Sequence, residues 1–163
     1  MSATPEQLFD FLAGLGIPAT TFEHPALHTV VESQELRGQI AGAHTKNLFL
    51  KDRKDNYFLV TVEETANVDL KTIHHAIGAA GKVSFGRPEA MSELLGVLPG
   101  SVTIMGLIND TGHRVNPVIA ADLLKSEIVN VHPLVNTATT SIKSDDLLRF
   151  VKATGHKVQV LKL

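Results

Sequence analysis

The chain has 163 residues, of which 44% are hydrophobic and 20% are charged, a composition typical of one globular domain spanning residues 1–163. The absence of cysteine excludes disulfides, thiolate metal sites and cysteine nucleophiles. The formal net charge of −2 argues against a general nucleic-acid or DNA binder, but it is compatible with one local basic contact to the end of an RNA.

The N-terminal residues and the apolar runs indicate where the protein is located. Residues 1–6 lack the basic-then-apolar order of a secretory signal. No apolar run approaches the roughly 20 residues that cross a bilayer. We therefore expect a cytoplasmic protein without a membrane partner.

The first forty residues predict two helices and a short strand. Thr4 supplies an N-cap hydroxyl, Pro5 suits the first helical position and Gln7 completes a capping box, so a helix should run from here to Gly16. Residues 19–24 indicate a short strand that ends at Pro25. A second capping box over residues 29–32 predicts another helix, which ends near Gly38.

Residues 45–62 predict a β-hairpin, with an apolar run on each side of a charged turn over residues 52–56. Side chains alternate between the two faces of a strand, so Lys46 shares a face with Leu48 and Leu50. If that face is buried, the ammonium group needs a partner or a function. The simpler interpretation is that Lys46 extends into solvent at the strand end.

Four elements follow in the middle of the chain: a helix over 69–77, a short strand before Gly86, a helix over 88–95, and an apolar strand between two turns over 98–110. Lys82 and Arg87 flank the turn at Gly86. They are either ordinary solvated charges or, at a helix start, two cations that hold a phosphate.

The last third predicts a strand over 114–120, a short helix over 122–125, two strands around a His-Pro break within 127–142, a helix from Ser144 to Gly155, and a strand over 158–161. Pro117 places its strand at a sheet edge or a bulge. Ser144, Asp145 and Asp146 are predicted to cap the last helix. About seven strands and six short helices without strict alternation favour a mixed α/β fold with a largely antiparallel sheet.

The sequence contains no phosphate-binding glycine motif and no nucleophile elbow. The histidines lack metal spacing, because Pro25 separates His24 from His28, and neighbours such as His74 and His75 point about 100° apart on a helix. We therefore expect neither a metal nor a cofactor. The polar residues on apolar strands predict at most a small polar pocket; they are Lys46, Asn47, His132, Asn136, Thr137 and Thr139.

Five blocks of the sequence resemble the YbaK/prolyl-tRNA synthetase-associated domain family, and most closely its free-standing prolyl-tRNA editing proteins, which deacylate alanyl-tRNA(Pro). The blocks stand in family order and cover nearly the whole chain; they are residues 42–50, 84–89, 99–103, 106–110 and 131–140. The run His132 to Thr140 is the most specific of them. The resemblance implies a mixed α/β fold that hydrolyses the ester between a mischarged amino acid and tRNA.

The resemblance also implies residue roles. In the family a strand lysine lies near the terminal adenosine, which corresponds to Lys46, and the tRNA's own 2′-hydroxyl helps to position water. The family's Gly-x-x-x-Pro substrate loop corresponds to residues 100–104, where Ile104 replaces the usual proline and leaves the loop less rigid. An aminoacyl ester is already activated, so positioning and oxyanion stabilisation suffice without a metal.

We therefore expect three groups of site residues. The catalytic group is Lys46, Asn47, Gly100 and Ser101. The substrate-binding group is Thr45, Val102, Thr103, Gly106, His132, Asn136 and Thr137. Lys82 and Arg87 would contact the acceptor stem of the expected partner, tRNA(Pro) mischarged with alanine, and prolyl-tRNA synthetase is a further candidate partner. In this hypothesis Lys46 and Asn47 hold the terminal ribose and phosphate, backbone amides of 100–103 and 106 receive the carbonyl oxygen, and a small pocket excludes proline by size.

Two alternatives stay open at this point. A related specificity, for Cys-tRNA(Pro) or Ser-tRNA, would keep Lys46 and change the pocket. A non-catalytic module would bind tRNA or a synthetase without deacylation. A panel of mischarged tRNAs separates the three.

Overall fold

The computed structural model describes residues 2–27 and 30–163. The helices and strands in chain order are α1 (Pro5–Gly14), β1 (Thr20–Glu23), α2 (Val30–Gln39), β2 (Ala43–Lys51), β3 (Tyr57–Glu63), α3 (Ile73–Ile77), β4 (Ser84–Phe85), α4 (Pro88–Leu95), β5 (Val115–Ala120), β6 (Ile128–Val131), β7 (Ala138–Lys143), α5 (Ser144–Ala153) and β8 (Gln159–Leu161). Three 3-10 helices cover Pro99–Ser101, Ile104–Asn109 and Ala121–Lys125. Within these ranges no helix is long and apolar enough to cross a membrane.

The strands form one mixed sheet in the order β1-β7-β6-β2-β3-β5-β8, and β4 pairs with β2. Four of the pairings are antiparallel and three are parallel. The predicted mixed α/β fold is therefore confirmed. The predicted hairpin is confirmed as well, because β2 and β3 pair from Thr45 opposite Glu63 to Lys51 opposite Tyr57.

The hairpin turn is organised by the buried carboxylate of Asp52. It accepts hydrogen bonds from the backbone N–H groups of Lys54, Asn56 and Ala80 at 2.7–2.9 Å, and from the Asn56 side chain at 3.0 Å. Burial by itself raises the pKa of Asp52, but these hydrogen bonds outweigh it and lower the pKa to about 2. The carboxylate thus fixes the β2–β3 register from the turn end.

One edge of β2 is only partly paired. Strand β6 pairs with Ala43 and His44, and β4 pairs with Leu50 and Lys51, so residues 45–48 have no strand neighbour on that side among the described residues. We call this stretch the β2 gap. Strand β6 ends before Pro133, which has no N–H to continue the ladder, and Leu134 then takes a positive φ of 70°. The His-Pro break therefore opens the gap.

Both faces of the sheet are covered by apolar side chains. Phe49 and Leu59 belong to one cluster, together with residues of α1, α4 and α5. Leu50 and Val60 belong to a second cluster, which Ile73 joins from α3. Each fully buried side chain of this size contributes roughly 1.5–3 kcal/mol to folding. Lys46 shares its face with Leu48 and Leu50 as predicted; Leu50 on that face is fully buried, and Lys46 and Leu48 are half-buried.

The predicted strand over 98–110 is wrong, because the segment forms two 3-10 helices, Pro99–Ser101 and Ile104–Asn109. The hydroxyl of Thr103 accepts a hydrogen bond from the Met105 N–H and starts the second turn. Ile104, Met105 and Leu107 are buried in the core, as the hydrophobic run indicates, whereas Leu98 is exposed. Burial alone does not distinguish a strand from a tight helix over such a short run.

Other predictions need smaller corrections. Helix α3 begins at Ile73 rather than Asp69. Lys143 is the N-cap of α5 without a side-chain hydrogen bond, so the predicted cap at Ser144 is wrong, but Asp145 and Asp146 lie in the first turn as predicted. Strand β5 lies between β3 and β8, but β8 pairs only from Val118 onwards, so Pro117 has a strand on one side alone. The capping box at Thr4 is confirmed. His28, whose spacing from His24 is unsuitable for a metal, and Thr29, which belongs to the second capping box, lie outside the described residues.

Candidate functional site

A cavity of about 140 Å³ lies where β2 begins and β6 ends. Its walls come from α2 and the residues before it, from the paired ends of β2 and β3, from the first 3-10 helix and from the β6–β7 connection. The lining residues are Leu27, Ser33, Leu36, His44, Thr45, Glu64, Gly100, Asn130, Val131, His132, Asn136 and Thr139. Two wider grooves, of about 660 Å³ each, lie elsewhere on the surface. More polar side chains line this cavity than line either of the two grooves.

The buried side chain of Asn130 holds the floor of the cavity together. Its Nδ2 donates to the carbonyls of Ala41 at 3.1 Å and Ala43 at 3.2 Å, and its Oδ1 accepts from the Ser141 hydroxyl. The Thr45 hydroxyl donates to the Asn130 carbonyl at 2.7 Å. These bonds fix β2 to β6 immediately before the β2 gap, so the cavity has a rigid end.

His132 presents a neutral imidazole to the cavity. Burial lowers its pKa from the usual value of 6.5, and the backbone carbonyl of Ala138, 3.4 Å from Nδ1, only partly opposes this. A carbonyl can only accept, so Nδ1 carries the hydrogen and Nε2 keeps its lone pair. At neutral pH His132 therefore offers a hydrogen-bond acceptor without a positive charge.

His24 orients the Thr139 hydroxyl in the cavity wall. The His24 Nδ1 donates to the Pro25 carbonyl at 2.8 Å, which leaves Nε2 of the neutral ring as an acceptor for the Thr139 hydroxyl, also at 2.8 Å. The hydroxyl hydrogen of Thr139 is thus directed to His24 and not into the cavity. Its oxygen retains lone pairs that can accept from a ligand.

Glu64 brings a carboxylate to the cavity. It follows β3 directly, and its N–H donates to the His44 carbonyl at 2.7 Å, so the two residues are cross-strand neighbours. Its Oε2 lies 2.9 Å from Nε of Arg37 on α2, and each side chain is 27% exposed. Among the described residues, no group of three or more His, Asp or Glu side chains is arranged to hold a metal ion.

Lys46 and Asn47 come directly after Thr45 in the β2 gap but do not line the cavity. The Lys46 Nζ donates to the Ala66 carbonyl at 2.5 Å, beyond the end of β3. The Asn47 Oδ1 accepts from the Thr61 hydroxyl at 2.6 Å on the paired strand. The two side chains lie on opposite faces of the strand, as alternation requires.

Within the predicted substrate loop, Gly100 alone lines the cavity. A Cβ added there would lie 3.4 Å from Nδ2 of Asn136, within ordinary contact distance. The N–H groups of Ser101 and Gly106 already donate to the carbonyls of Leu98 and Thr103, so they are not free for a ligand.

The rest of that loop packs behind the cavity. The Thr103 hydroxyl donates to the His132 carbonyl at 2.7 Å and so supports the His-Pro break. A Cβ on Gly106 would lie 2.9 Å from Cβ of Leu95, so this glycine permits close helix packing. Val102 packs against the core, and Ile104, in the position of the family proline, is fully buried.

Three further predicted residues lie apart from the cavity. Thr137 is exposed and lines one of the wider grooves. Lys82 and Arg87 are exposed on either side of β4, which pairs with the far end of β2. Strand β4 runs antiparallel to β2, with Phe85 opposite Leu50 and Ser84 opposite Lys51, so Arg87 lies on the side nearer the β2 gap and Lys82 on the side farther from the cavity.

The sequence interpretation missed Ser33, His44, Glu64 and Asn130 as cavity residues. Glu64 could have been found from the hairpin register, which places His44 opposite it. Asn130 and Ser33 carry no such signal, because their positions depend on the packing of β6 and α2 against β2.

A family model described as "Aminoacyl-tRNA editing domain" matches residues 24–150. The chain is 38% identical over 154 residues to "Prolyl-tRNA synthetase associated domain-containing protein 1" of Mus musculus, covering 92% of this chain and 90% of that protein. It is 32% identical over 150 residues to "Prolyl-tRNA editing protein ProX" of Acetoanaerobium sticklandii, covering 91% of each.

Solved structures share the fold. A crystal structure described as that of a proposed trans-editing enzyme for prolyl tRNA synthetase superposes with a TM-score of 0.74 at 23% identity, covering 100% of this chain and 99% of that one. A second crystal structure, that of the hypothetical protein APE2540, superposes with a TM-score of 0.72 at 19% identity, covering 94% of this chain and 97% of that one. The resemblance inferred from the sequence blocks is thus confirmed by the family model, which spans the cavity residues from His44 to Thr139. The chain belongs to the aminoacyl-tRNA editing domain family.

Proposed function

We propose that the protein removes alanine from mischarged tRNA(Pro) by hydrolysing the ester between the amino acid and the terminal ribose. The size of the cavity carries this proposal. A protein cavity of about 150 Å³ accommodates benzene, which has six non-hydrogen atoms. An alanyl group has five and a prolyl group has seven, so a cavity of about 140 Å³ admits the former and crowds the latter.

The lining residues have defined roles in this proposal. The N–H of Gly100 lies in the first turn of a 3-10 helix, where no internal acceptor is available, and it donates to the carbonyl oxygen as negative charge develops there. The Nε2 of His132 accepts a hydrogen bond from the attacking water or from the 2′-hydroxyl that positions it. Thr45 and Asn136 complete the polar wall. No proton transfer to a metal-bound group is required, because the ester is an activated acyl donor.

Lys46 holds the 3′-terminal nucleotide next to the cavity. Its ammonium is anchored to a single carbonyl, which leaves two of its three N–H donors for the phosphate or ribose of the terminal adenosine. Asn47 supports the same strand through Thr61.

The test is deacylation of alanyl-tRNA(Pro) by Lys46→Ala. Loss of a charge-assisted contact costs about 1.5–3 kcal/mol, so kcat/KM should fall by roughly 10- to 100-fold. Lys51→Ala is the matched control, since Lys51 lies on the same strand, outside the cavity lining, and its ammonium lies 3.8 Å from the exposed Asp55. A Lys46→Ala variant with wild-type turnover would remove Lys46 from the mechanism.

A serine or cysteine specificity is the second candidate, because either acyl group has one atom more than alanyl and the cavity wall offers Asn136 and Thr139 to a hydroxyl or thiol. Assays on tRNAs charged with alanine, serine, cysteine and proline separate these cases. We expect alanine to be released fastest and proline slowest. Binding of every tRNA without release of any amino acid would instead indicate a tRNA- or synthetase-binding module.

A further inference from the structure

Glu64 is the one carboxylate among the cavity-lining residues that the structure describes, and nothing in the proposed ester hydrolysis uses it. Its Oε2 lies 2.9 Å from Nε of Arg37, an ion-pair distance without hydrogen-bond geometry. Its Oε1 has no partner among the described side chains, and the residue borders the same cavity as His132, Asn136 and Thr139. The ion pair with Arg37 uses one oxygen, so the other can accept hydrogen bonds from a cationic ligand in the cavity.

We propose that Glu64 binds the α-ammonium group of the aminoacyl ester, which makes the site specific for unblocked aminoacyl-tRNA against N-acylated forms such as peptidyl-tRNA. This inference rests on the proposed function, because it assumes that the cavity receives the aminoacyl group. It assigns the class of substrate by the free amine rather than by the side chain.

The cavity wall complements an ammonium group in charge and in hydrogen-bonding capacity. An ammonium has three N–H donors and no acceptor. The free oxygen of Glu64 supplies an ionic acceptor, and the Thr139 oxygen, whose own hydrogen is directed to His24, supplies a neutral one. His132 is uncharged at neutral pH because burial lowers its pKa, so it does not repel the cation.

An N-acyl group reverses each of these advantages. It removes the positive charge and leaves one N–H donor, so the Glu64 carboxylate loses its ionic partner. It also adds at least two non-hydrogen atoms, and three for an acetyl group, to the group that must fit in a cavity of about 140 Å³. Charge and size therefore both favour the free-amine form over the N-acylated form. A substitution at Glu64 isolates the contribution of charge.

The experiment measures binding, so that it does not depend on hydrolysis. The probes are two acceptor-stem minihelices that carry alanine or N-acetylalanine through a stable 3′-amide, and the proteins are wild type, Glu64→Gln and Glu63→Gln. Glu63 is the matched control, because it is the adjacent residue with the same charge and its carboxylate bonds to Thr65 instead. Circular dichroism and thermal unfolding check that each variant folds.

The expected result is a coupling between the protein carboxylate and the ligand amine. Wild type should bind the free-amine probe at least about tenfold more tightly than the acetylated probe, as expected for a charge-assisted pair. Glu64→Gln should weaken binding of the free-amine probe about tenfold and change binding of the acetylated probe less than about threefold. Glu63→Gln should behave as wild type with both.

Other outcomes overturn the inference. Equal weakening of both probes by Glu64→Gln would mean that Glu64 only holds Arg37 and α2 in place. Equal binding of both probes by wild type, or binding of neither, would mean that the amine is not recognised. Failure of the proposed function is seen separately, as an absence of alanine release from alanyl-tRNA(Pro) by wild type that binds the free-amine probe normally.

Discussion

At the scale of single residues, His132 shows how burial determines chemistry. Its ring sits where β6 leaves the sheet, and the Thr103 hydroxyl supports its carbonyl from behind. Burial lowers the pKa of the imidazole, and the Ala138 carbonyl selects the tautomer. Sequence spacing identifies the residue, but neither its charge state nor its tautomer follows from spacing.

The lowered pKa of His132 predicts the pH dependence of the proposed deacylation. Deacylation should be constant above pH 6.5 and fall in more acidic solution, where the ring becomes protonated and loses its acceptor. His132→Gln keeps an acceptor that does not titrate, so its profile should lose this acidic limb while retaining measurable activity. An unchanged acidic limb in this variant would assign the titration to another group.

The same residue affects the free energy of unfolding. The unfolded chain binds a proton at His132 near pH 6.5, whereas the folded chain binds it only at lower pH. The contribution of His132 to stability is therefore fully present above pH 6.5 and is lost as the pH falls below this value. Urea unfolding of wild type and His132→Gln between pH 5 and pH 8 measures this difference.

At the scale of elements, one 3-10 helix contributes to the cavity surface and the next forms the support behind it. The first presents Gly100 to the cavity, and the second buries Ile104, Met105 and Leu107 under it. The two glycines of this segment consequently have different tasks. Gly100 faces a ligand cavity, whereas Gly106 faces the end of helix α4.

Alanine substitutions at these glycines should give opposite results. Gly106→Ala forces a Cβ to 2.9 Å from Leu95 and should destabilise the protein by about 1–3 kcal/mol, seen as a lower Tm. Gly100→Ala meets only Asn136, at 3.4 Å, and should leave Tm nearly unchanged while it reduces deacylation. Equal loss of Tm in both variants would contradict the division between surface and support.

At the scale of the whole molecule, the sequence predicted those structural features that depend on residues close together in the chain. The α1 capping box, the β2–β3 hairpin and the strands around His132-Pro133 each depend on a few neighbouring residues. The cavity was only partly predictable, because it depends on parallel pairing of β2 with β6, more than eighty residues later. Lys46 was placed on the correct face, but its contact with Ala66 comes from a loop that periodicity does not describe.

The modest net charge of −2 predicts a weak dependence of tRNA binding on salt. If Lys82 and Arg87 are the main phosphate contacts, log K should fall with log salt at a slope of about −1.4 to −1.8. Replacing either residue by Gln should reduce the slope by about 0.7–0.9. Lys125→Gln is a control of equal charge, since Lys125 is exposed and paired with Asp122. A slope that neither substitution changes would place the RNA elsewhere.

The β2 gap is produced by strand order and by the missing N–H of Pro133, rather than by one particular side chain. In the proposed function the nucleotide end of the substrate would therefore rest on peptide groups of the β2 gap, whose arrangement depends on strand order. The acyl group that the cavity accepts would instead depend on a few side chains of the cavity wall. Exchange of those side chains would change the acyl specificity without changing the backbone that receives the nucleotide end.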